Sequence, residues 1–109
     1  MISKKDDKKI KELISAILLL EGFGEAKSFL RDLLTESELV EFSNRWKAAQ
    51  MLAQKISYTE VEKETGLSST TVARVSKWLN AGKGGYRLMI KRIMKNTHHN
   101  NSFVGRGRL

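Results

Sequence analysis

The sequence predicts an all-α fold of about six helices. Its 109 residues include no proline, and the first 80 residues contain glycine only at positions 22, 24 and 66. Several segments repeat apolar residues at spacings of three and four, which is the period of one face of an α-helix. Two Ser/Thr-x-x-Glu capping boxes, Thr35 to Glu38 and Ser57 to Glu60, mark helix starts. A chain of this length is expected to form a single domain with a modest hydrophobic core.

The first half of the chain is expected to form three helices. An amphipathic helix over residues 6–21 ends before Gly22, and a short helix follows over about 25–33. The capping box at Thr35 begins a long helix to about residue 55. Its apolar stripe is Leu39, Phe42, Trp46, Ala49 and Ala53, widened near its end by Leu52 and Ile56. The apolar run at 16–20 is far shorter than the ~20 residues of a membrane span. We therefore interpret the first helix as a buried amphipathic helix of a cytoplasmic protein.

Residues 57–79 have the pattern of a helix-turn-helix. Ser57 begins a fourth helix that ends at Gly66, the position that favours a left-handed residue, and Ser68 or Ser69 caps a fifth helix to about Asn80. Four apolar residues occupy the positions that fix the angle between these helices: Val61, Leu67, Val72 and Val75. Glu62 and Thr65 depart from the motif because both are more polar than it prefers.

The chain is expected to close with one more helix and a tail. A flexible link at residues 81–85 precedes a sixth helix over about 86–95, which is expected to bury Tyr86, Met89, Ile90 and Ile93. Residues 96–109 are polar and basic, and we predict that they are disordered. This sets the limits of the domain at 1–95 and of the tail at 96–109.

Positive charge is concentrated in the second half of the chain. Residues 1–64 contain eleven Lys and Arg and all twelve Asp and Glu, a net charge of −1, whereas residues 65–109 contain nine Lys and Arg and no acid, a net charge of +9. The excess therefore lies on the fifth helix and the segments that follow it. Such a surface attracts a polyanion and gains affinity by releasing its counterions. Double-stranded DNA is the expected partner.

The fifth helix and its cap carry the predicted DNA contacts. Small hydroxyl side chains at its start can approach base edges or phosphates, and two cations follow one and two turns later. The predicted DNA-binding residues are Ser68, Ser69, Thr70, Thr71, Arg74, Ser76 and Lys77. Helix capping is the alternative role for the hydroxyls, and a solvated surface is the alternative for the lysines.

The sequence contains no recognisable active site. It has no Cys, which excludes disulfides, thiol catalysis and thiolate metal sites. It also lacks a nucleophile–base pair, a Gly-rich phosphate loop and paired carboxylates in an apolar setting. The adjacent His98 and His99 have no carboxylate or Cys after Glu64 that could complete a metal site. We therefore predict a protein that is not an enzyme and has no catalytic residue, metal or cofactor.

The arrangement over about residues 30–92 resembles the Trp repressor superfamily, and most closely its YerC/YecD-type, Trp-repressor-like branch. The resemblance rests on Leu34-Thr35, Arg45, Ser57 to Gly66, Thr71 to Ser76, and Asn80 with Gly84-Gly85-Tyr86. It implies an intertwined helical homodimer that presents two recognition helices to successive major grooves, and therefore a sequence-specific transcriptional regulator. The amphipathic surface of so short a chain also predicts a homodimer.

The resemblance further implies a corepressor site, from which this sequence departs. In tryptophan-binding members two arginines sandwich the indole, and they match Arg45 and Arg74, while Thr35 matches a residue near the ligand amino group. Val75 replaces a small glycine and Trp78 replaces a serine, so both add bulk where the ligand would lie. L-Tryptophan is therefore not the expected effector, and whether another small molecule acts here stays open.

Each of these positions also has an alternative role. Arg45 is preferred as a helix-surface or interhelical salt-bridge residue, and Arg74 is preferred as a phosphate contact. Trp78 either fills the vacated pocket or packs beneath the sixth helix.

Two alternatives to a transcriptional regulator remain at this point. One is the DNA-targeting module of a transposase-like system, which uses the same superfamily fold. The other is a helical interaction protein that binds no DNA and whose helix pair is simply part of its core. Salt-dependent binding to duplex DNA separates the second alternative from both DNA-binding functions.

Overall fold

The computed structural model describes residues 1–99, with side chains described to residue 96. This part of the chain forms six helices: α1 Lys4–Ile17, α2 Phe23–Leu33, α3 Glu36–Ala53, α4 Tyr58–Thr65, α5 Ser69–Ala81 and α6 Gly85–His99. Residues 1–99 contain no strand, which confirms the predicted all-α fold. The chain divides into two compact units, Met1–Leu39 and a second that begins at Val40.

In the first unit, α1 lies closer to the N-terminus than the predicted range of 6–21. Ser3 is its N-cap and accepts a hydrogen bond from the Asp6 amide at 3.1 Å. The helix ends at Ile17 because the chain tightens there: Leu19 and Leu20 donate to the carbonyls three residues earlier, at 3.0 and 3.1 Å. Three leucines expected in the last turn of the helix, Leu18 to Leu20, therefore lie outside it, with Leu18 and Leu19 in a turn.

The expected burial of the first helix is wrong for the single chain. Neither α1 nor α2 contains a buried residue. The stripe of Ile10, Ile14 and Ile17 on α1 is 37%, 49% and 42% exposed. Phe23 at the start of α2 is also exposed. The apolar pattern of α1 was recognised correctly, but the first unit does not cover it.

The second unit has its hydrophobic core around the helix-turn-helix. Eight side chains form this core: Ala48, Ala49, Leu52, Val61, Leu67, Val72, Val75 and Leu79. The set contains the four residues predicted to fix the angle between α4 and α5. On α3 the buried face only partly matches the predicted stripe: Ala49 and Leu52 are buried as expected, whereas Phe42 and Ala53 are exposed and Ala48 is buried instead. Alanines at this face leave room for neighbouring backbone to approach closely.

The sixth helix is longer than predicted. It runs from Gly85 to His99, four residues past the expected end at residue 95. Tyr86 and Ile90 pack against the core, whereas Met89 and Ile93, also expected to be buried, are 45% and 38% exposed. The predicted tail beyond His99 lies outside the described residues. Within residues 1–99, no helix has the length and apolar content needed to cross a membrane.

Candidate nucleic-acid interface

The turn between α4 and α5 depends on one glycine. Gly66 follows α4 with φ of 74° and ψ of 4°, which is the left-handed region. Its amide donates to the Glu62 carbonyl at 2.8 Å and closes the last turn of the helix. Glycine adopts this conformation without the steric cost that a Cβ would bring. The predicted role of Gly66 is confirmed.

Thr65, a departure from the motif, stabilises the same turn. The Thr65 side chain is 7% exposed. Its hydroxyl donates to the Val61 carbonyl at 2.7 Å and accepts from the Leu67 amide at 3.2 Å. A buried hydroxyl with both bonds made costs little and satisfies a backbone N–H that the turn would otherwise leave unpaired. A polar residue is therefore suited to this position.

Ser68 is the N-cap of α5. Its hydroxyl accepts from the Thr71 amide at 3.1 Å and donates to the Thr71 hydroxyl at 3.0 Å. Of the two caps considered for this helix, Ser68 and Ser69, the structure thus shows Ser68. Thr71 is half-buried, and its hydroxyl still has a proton to donate.

The outward face of α5 consists of Thr70, Ala73, Arg74 and Lys77. Successive helical residues are about 100° apart, so the buried Val72, Val75 and Leu79 define one side and these four residues the opposite side. All four are exposed. Ala73 was not among the predicted contacts. The signal for it was available in its spacing of three from Thr70 and four from Lys77. A methyl group at this position can contact a thymine methyl.

Two other predicted contacts flank the outward face. Ser69 is exposed and Ser76 is half-buried. The Asn80 amide donates to the Ser76 carbonyl at 2.9 Å and reaches the Ser76 hydroxyl at 3.5 Å. Ser76 therefore lies on the side of α5 that carries Asn80, not on the outward face with Arg74.

The cations of the outward face have no carboxylate partner among the described residues. The ion pairs of that part of the chain are Lys11–Asp7, Arg31–Glu36 and Arg45–Glu41, all within residues 1–45. Arg74 and Lys77 therefore present uncompensated positive charge to solvent. Charge of this kind is available to phosphates.

Arg45 and Thr35, the other family corepressor positions, both have partners within their own helix. The Arg45 guanidinium bonds Glu41 at 3.3 Å and lies 5.5 Å from the centre of the Phe42 ring. Thr35 and Glu38 form the predicted capping box, with the Glu38 amide donating to the Thr35 hydroxyl at 3.1 Å and the Thr35 amide donating to the Glu38 carboxylate at 2.9 Å. Of the two roles preferred for Arg45, the structure shows that of a helix-surface residue, because its salt bridge lies within α3 and not between helices.

The two residues that depart from the corepressor pattern lie in different surroundings. Val75 is fully buried in the core, whereas Trp78 is 40% exposed. Trp78 lines an apolar groove of about 870 Å³ together with Trp46 of α3 and Tyr86 and Met89 of α6. The Trp46 and Tyr86 rings stack at 6.2 Å between centroids. Burial raises the pKa of the Tyr86 phenol, and the nearby Arg45 charge partly opposes this. Because Trp78 lines the groove with Tyr86 and Met89 and is still 40% exposed, it lies beside α6 without being covered by it.

Comparisons with known proteins agree with this architecture. The family model described as Trp repressor protein matches residues 8–94. The uncharacterized protein YerC of Bacillus subtilis (strain 168) is 34% identical over 92 residues, covering 84% of this chain and 88% of that protein. The crystal structure of a TrpR-like protein from Eubacterium eligens ATCC 27750 matches with a TM-score of 0.75 at 34% identity, over 79% of this chain and 89% of that one.

A Trp repressor candidate from Staphylococcus aureus matches with a TM-score of 0.74 at 35% identity, over 79% of this chain and 86% of that one. These likenesses cover most of the chain and include the helix-turn-helix of α4 and α5. The chain belongs to the Trp repressor family.

Proposed function

We propose that this protein is a sequence-specific transcriptional regulator that binds double-stranded DNA as a homodimer and does not respond to tryptophan. The observation that carries the proposal is the outward face of α5. It combines the small side chains of Thr70 and Ala73 with the cations Arg74 and Lys77, which have no carboxylate partner among the described residues. The opposite side of the helix packs in the core through Val72 and Val75. Small residues allow close approach to base edges, and the cations reach phosphate or guanine.

The uneven distribution of charge supports duplex DNA as the partner. All nine Lys and Arg after residue 64 lie on α5 and the segments that follow it, with no acid among them. Phosphate contacts supply most of the sequence-independent affinity and fix the register of a recognition helix in the groove. Family membership supports the same function, because members of this family are regulators rather than enzymes.

Exposed apolar surface supports the homodimer. The α1 stripe of Ile10, Ile14 and Ile17 is exposed, and so are Met89 and Ile93 of α6. Each unit by itself therefore exposes large apolar side chains, and exposed apolar surface of this kind marks an interaction site. A second copy of the chain is the simplest partner, because a two-fold dimer pairs two recognition helices with two half-sites of an operator.

Independence from tryptophan is supported by the positions of the family corepressor residues. Arg45 bonds Glu41 and stacks on Phe42, and the Val75 side chain is part of the core. An indole slot would need a free guanidinium and open volume beside Arg74. We place the protein in the cytoplasm, where the DNA it would regulate is accessible.

Binding to duplex DNA at several salt concentrations tests the proposal. Fluorescence anisotropy of a labelled duplex should give an affinity whose logarithm falls linearly with the logarithm of salt concentration, by about 0.9 per phosphate contact. Arg74→Ala/Lys77→Ala should flatten that slope. Lys27→Ala/Arg31→Ala, which removes two charges from α2, is the matched control and should leave it unchanged. No binding by the parent protein at low salt would favour a helical interaction protein instead.

A further inference from the structure

A second basic site lies away from the outward face of α5. It is a cleft of about 400 Å³ where the C-terminal ends of α3 and α5 meet α6. Three cations, Lys55, Arg87 and Lys91, line it together with Asn80, and Leu79 and Ile90 provide apolar walls. None of the outward-face residues of α5 and no acidic residue is among those lining it. We call it the basic cleft.

Lys55 reaches this cleft from a backbone conformation that lysine rarely adopts. Its φ is 66°, the only positive φ at a non-glycine residue in the described part of the chain. It lies two residues after Ala53, the last residue of α3, and its amide donates to the Leu52 carbonyl at 3.0 Å. Glycine is the most stable residue at such a helix end. Lysine at this position therefore carries a backbone strain that glycine would avoid.

The Arg87 side chain is oriented by a hydrogen bond to a neighbouring residue of the cleft. Its guanidinium donates to the Asn80 side-chain oxygen at 3.3 Å. Asn80 is itself oriented, because its side-chain nitrogen donates to the Ser76 carbonyl at 2.9 Å. A guanidinium fixed in this way has other N–H groups free to donate, in a planar fork that matches a phosphate.

The charges of the cleft repel one another without an anion. Arg87 and Lys91 are four residues apart on α6, so their side chains lie on the same face of the helix. Like charges at this spacing destabilise a helix. Among the described residues, neither these two side chains nor Lys55 forms an ion pair with a carboxylate. A bound anion would relieve this repulsion.

We propose that the basic cleft binds a phosphate group through Lys55, Arg87 and Lys91. The phosphate belongs either to a free phosphate compound or to the backbone of a duplex beyond the segment read by α5. The first source makes the cleft an effector site. The second extends the DNA footprint, and only that source rests on the proposed function.

Titration of the full chain with inorganic phosphate and with pyrophosphate, at an ionic strength held constant with chloride, tests the free-ligand source. Amide NMR signals around the cleft should shift saturably. Arg87→Gln and Lys91→Gln should weaken binding by about threefold to tenfold, as expected for a lost charge-assisted contact at a partly exposed site. Arg92→Gln removes the same charge from the neighbouring position on α6, which does not line the cleft, and should bind like the parent.

Substitutions of Lys55 separate a role in phosphate binding from a merely structural role, because the two roles predict different changes in stability and binding. Lys55→Gly relieves the positive φ, so the midpoint of thermal unfolding should rise while phosphate binding weakens. Lys55→Asn also removes the charge, and asparagine tolerates the left-handed region better than most residues. It should weaken binding to a similar degree. Stability and binding that fall together would overturn the role of Lys55.

The same variants in duplex titrations test the backbone source. If the cleft holds a DNA phosphate, each of Arg87→Gln and Lys91→Gln should lower the salt slope by up to about 0.9, while Arg92→Gln leaves it unchanged. If Arg87→Gln and Lys91→Gln bind inorganic phosphate, pyrophosphate and duplex as Arg92→Gln does, the proposal of a phosphate site in the basic cleft is wrong. A parent chain that binds pyrophosphate but no duplex would leave the cleft standing and remove the proposed function.

Discussion

The outward face of α5 divides its side chains between two kinds of DNA contact. Thr70 and Ala73 are short and can lie close to base edges, whereas Arg74 and Lys77 are long and can reach the backbone. Thr71 lies between the outward face and the buried side of α5. It is half-buried, and its amide and hydroxyl are hydrogen-bonded to the Ser68 side chain. This arrangement allows sequence-specific and sequence-independent binding to be separated by single substitutions.

We expect Thr71→Ala and Arg74→Ala to affect DNA binding differently. Thr71→Ala should weaken binding to a preferred site more than binding to other sequences, by about 1–3 kcal/mol if the hydroxyl makes a good base contact. Arg74→Ala should weaken both, as loss of a phosphate contact does. Anisotropy titrations with a selected and a scrambled duplex measure the difference. Because Thr71 also bonds Ser68, thermal unfolding of each variant serves as the control. Variants that both bind like the parent would refute the assignment of α5.

The second expectation at this scale concerns tryptophan. Isothermal titration with L-tryptophan should show no heat of binding, and DNA affinity should not change when it is added. The reason is steric, since Val75 fills core volume at the position matched to a glycine of tryptophan-binding members, and overfilling a packed site typically costs about 1–3 kcal/mol. Saturable binding at micromolar concentration would mean that the effect of Val75 and Trp78 on the pocket was misjudged.

Individual side chains were predictable where they make local hydrogen bonds. The capping role of Ser68 and the capping box of Thr35 follow from positions in the sequence, because these bonds span three residues. The exposure of Ala73 and the half-burial of Ser76 depend on how α5 is rotated against the core. The spacing of residues along the helix shows which side chains share a face. It predicts their exposure only once the buried face of α5 is known.

At the scale of elements, the turn of the helix-turn-helix depends most directly on Gly66. Gly66→Ala should destabilise the protein by about 1 kcal/mol or more, because L-residues are strained in the left-handed region. A Cβ added there would have nothing within 4 Å, so the cost comes from the backbone conformation and not from a clash. Chemical denaturation measures the free energy of unfolding.

Gly24→Ala is the matched control for Gly66→Ala. Gly24 lies within α2 without a positive φ, and a Cβ there would also have nothing within 4 Å. Alanine in a helix should stabilise the protein by about 0.5–1 kcal/mol. Equal and small effects of both substitutions would argue against a strained conformation at Gly66.

The second expectation for an element concerns the predicted basic tail, residues 96–109. Because α6 extends to His99, the tail is best tested from residue 100. We expect removal of residues 100–109, which include Arg106 and Arg108, to leave the preferred DNA sequence unchanged. The slope of log affinity against log salt should become shallower by roughly 0.9 per lost phosphate contact. An unchanged slope would assign this segment no role in DNA binding.

Helix number and order were predictable from the sequence, but several helix ends were not. Capping residues placed the starts of α3, α4 and α5 correctly. The end of α1 was missed because Leu18 to Leu20 continue an apolar run, while the backbone tightens at Ile17. The end of α6 was missed because a polar composition favours disorder but does not prevent an established helix from continuing.

At the scale of the whole molecule, we expect a homodimer that does not persist as a folded monomer. Sedimentation at micromolar concentration should give twice the chain mass. Ile14→Lys places a charge in the exposed apolar stripe of α1 and should shift the equilibrium toward monomer or unfolded chain. Lys11→Gln, on the same helix but with a largely exposed side chain, is the control. A parent chain that sediments as a folded monomer would count decisively against the dimer.

Sequence periodicity could not show how the apolar faces are covered. The pattern of Ile10, Ile14 and Ile17 identifies an apolar stripe but not whether its partner lies in the same chain or another. The second unit differs, because the motif spacing of Val61, Leu67, Val72 and Val75 specifies a local packing that the same segment completes. The core of the helix-turn-helix was therefore predictable, whereas exposure of the α1 stripe in the single chain was not.

Selection of bound sites from a random pool of duplexes, with the protein alone and no added tryptophan, is the most direct test of sequence-specific recognition by a homodimer. We predict enrichment of a two-fold symmetric site whose half-sites are about 34–36 Å apart, one helical turn of DNA. The same selection with Thr71→Ala should enrich that site more weakly. A pool that stays random after repeated rounds, or that yields single half-sites without symmetry, would contradict the proposed function.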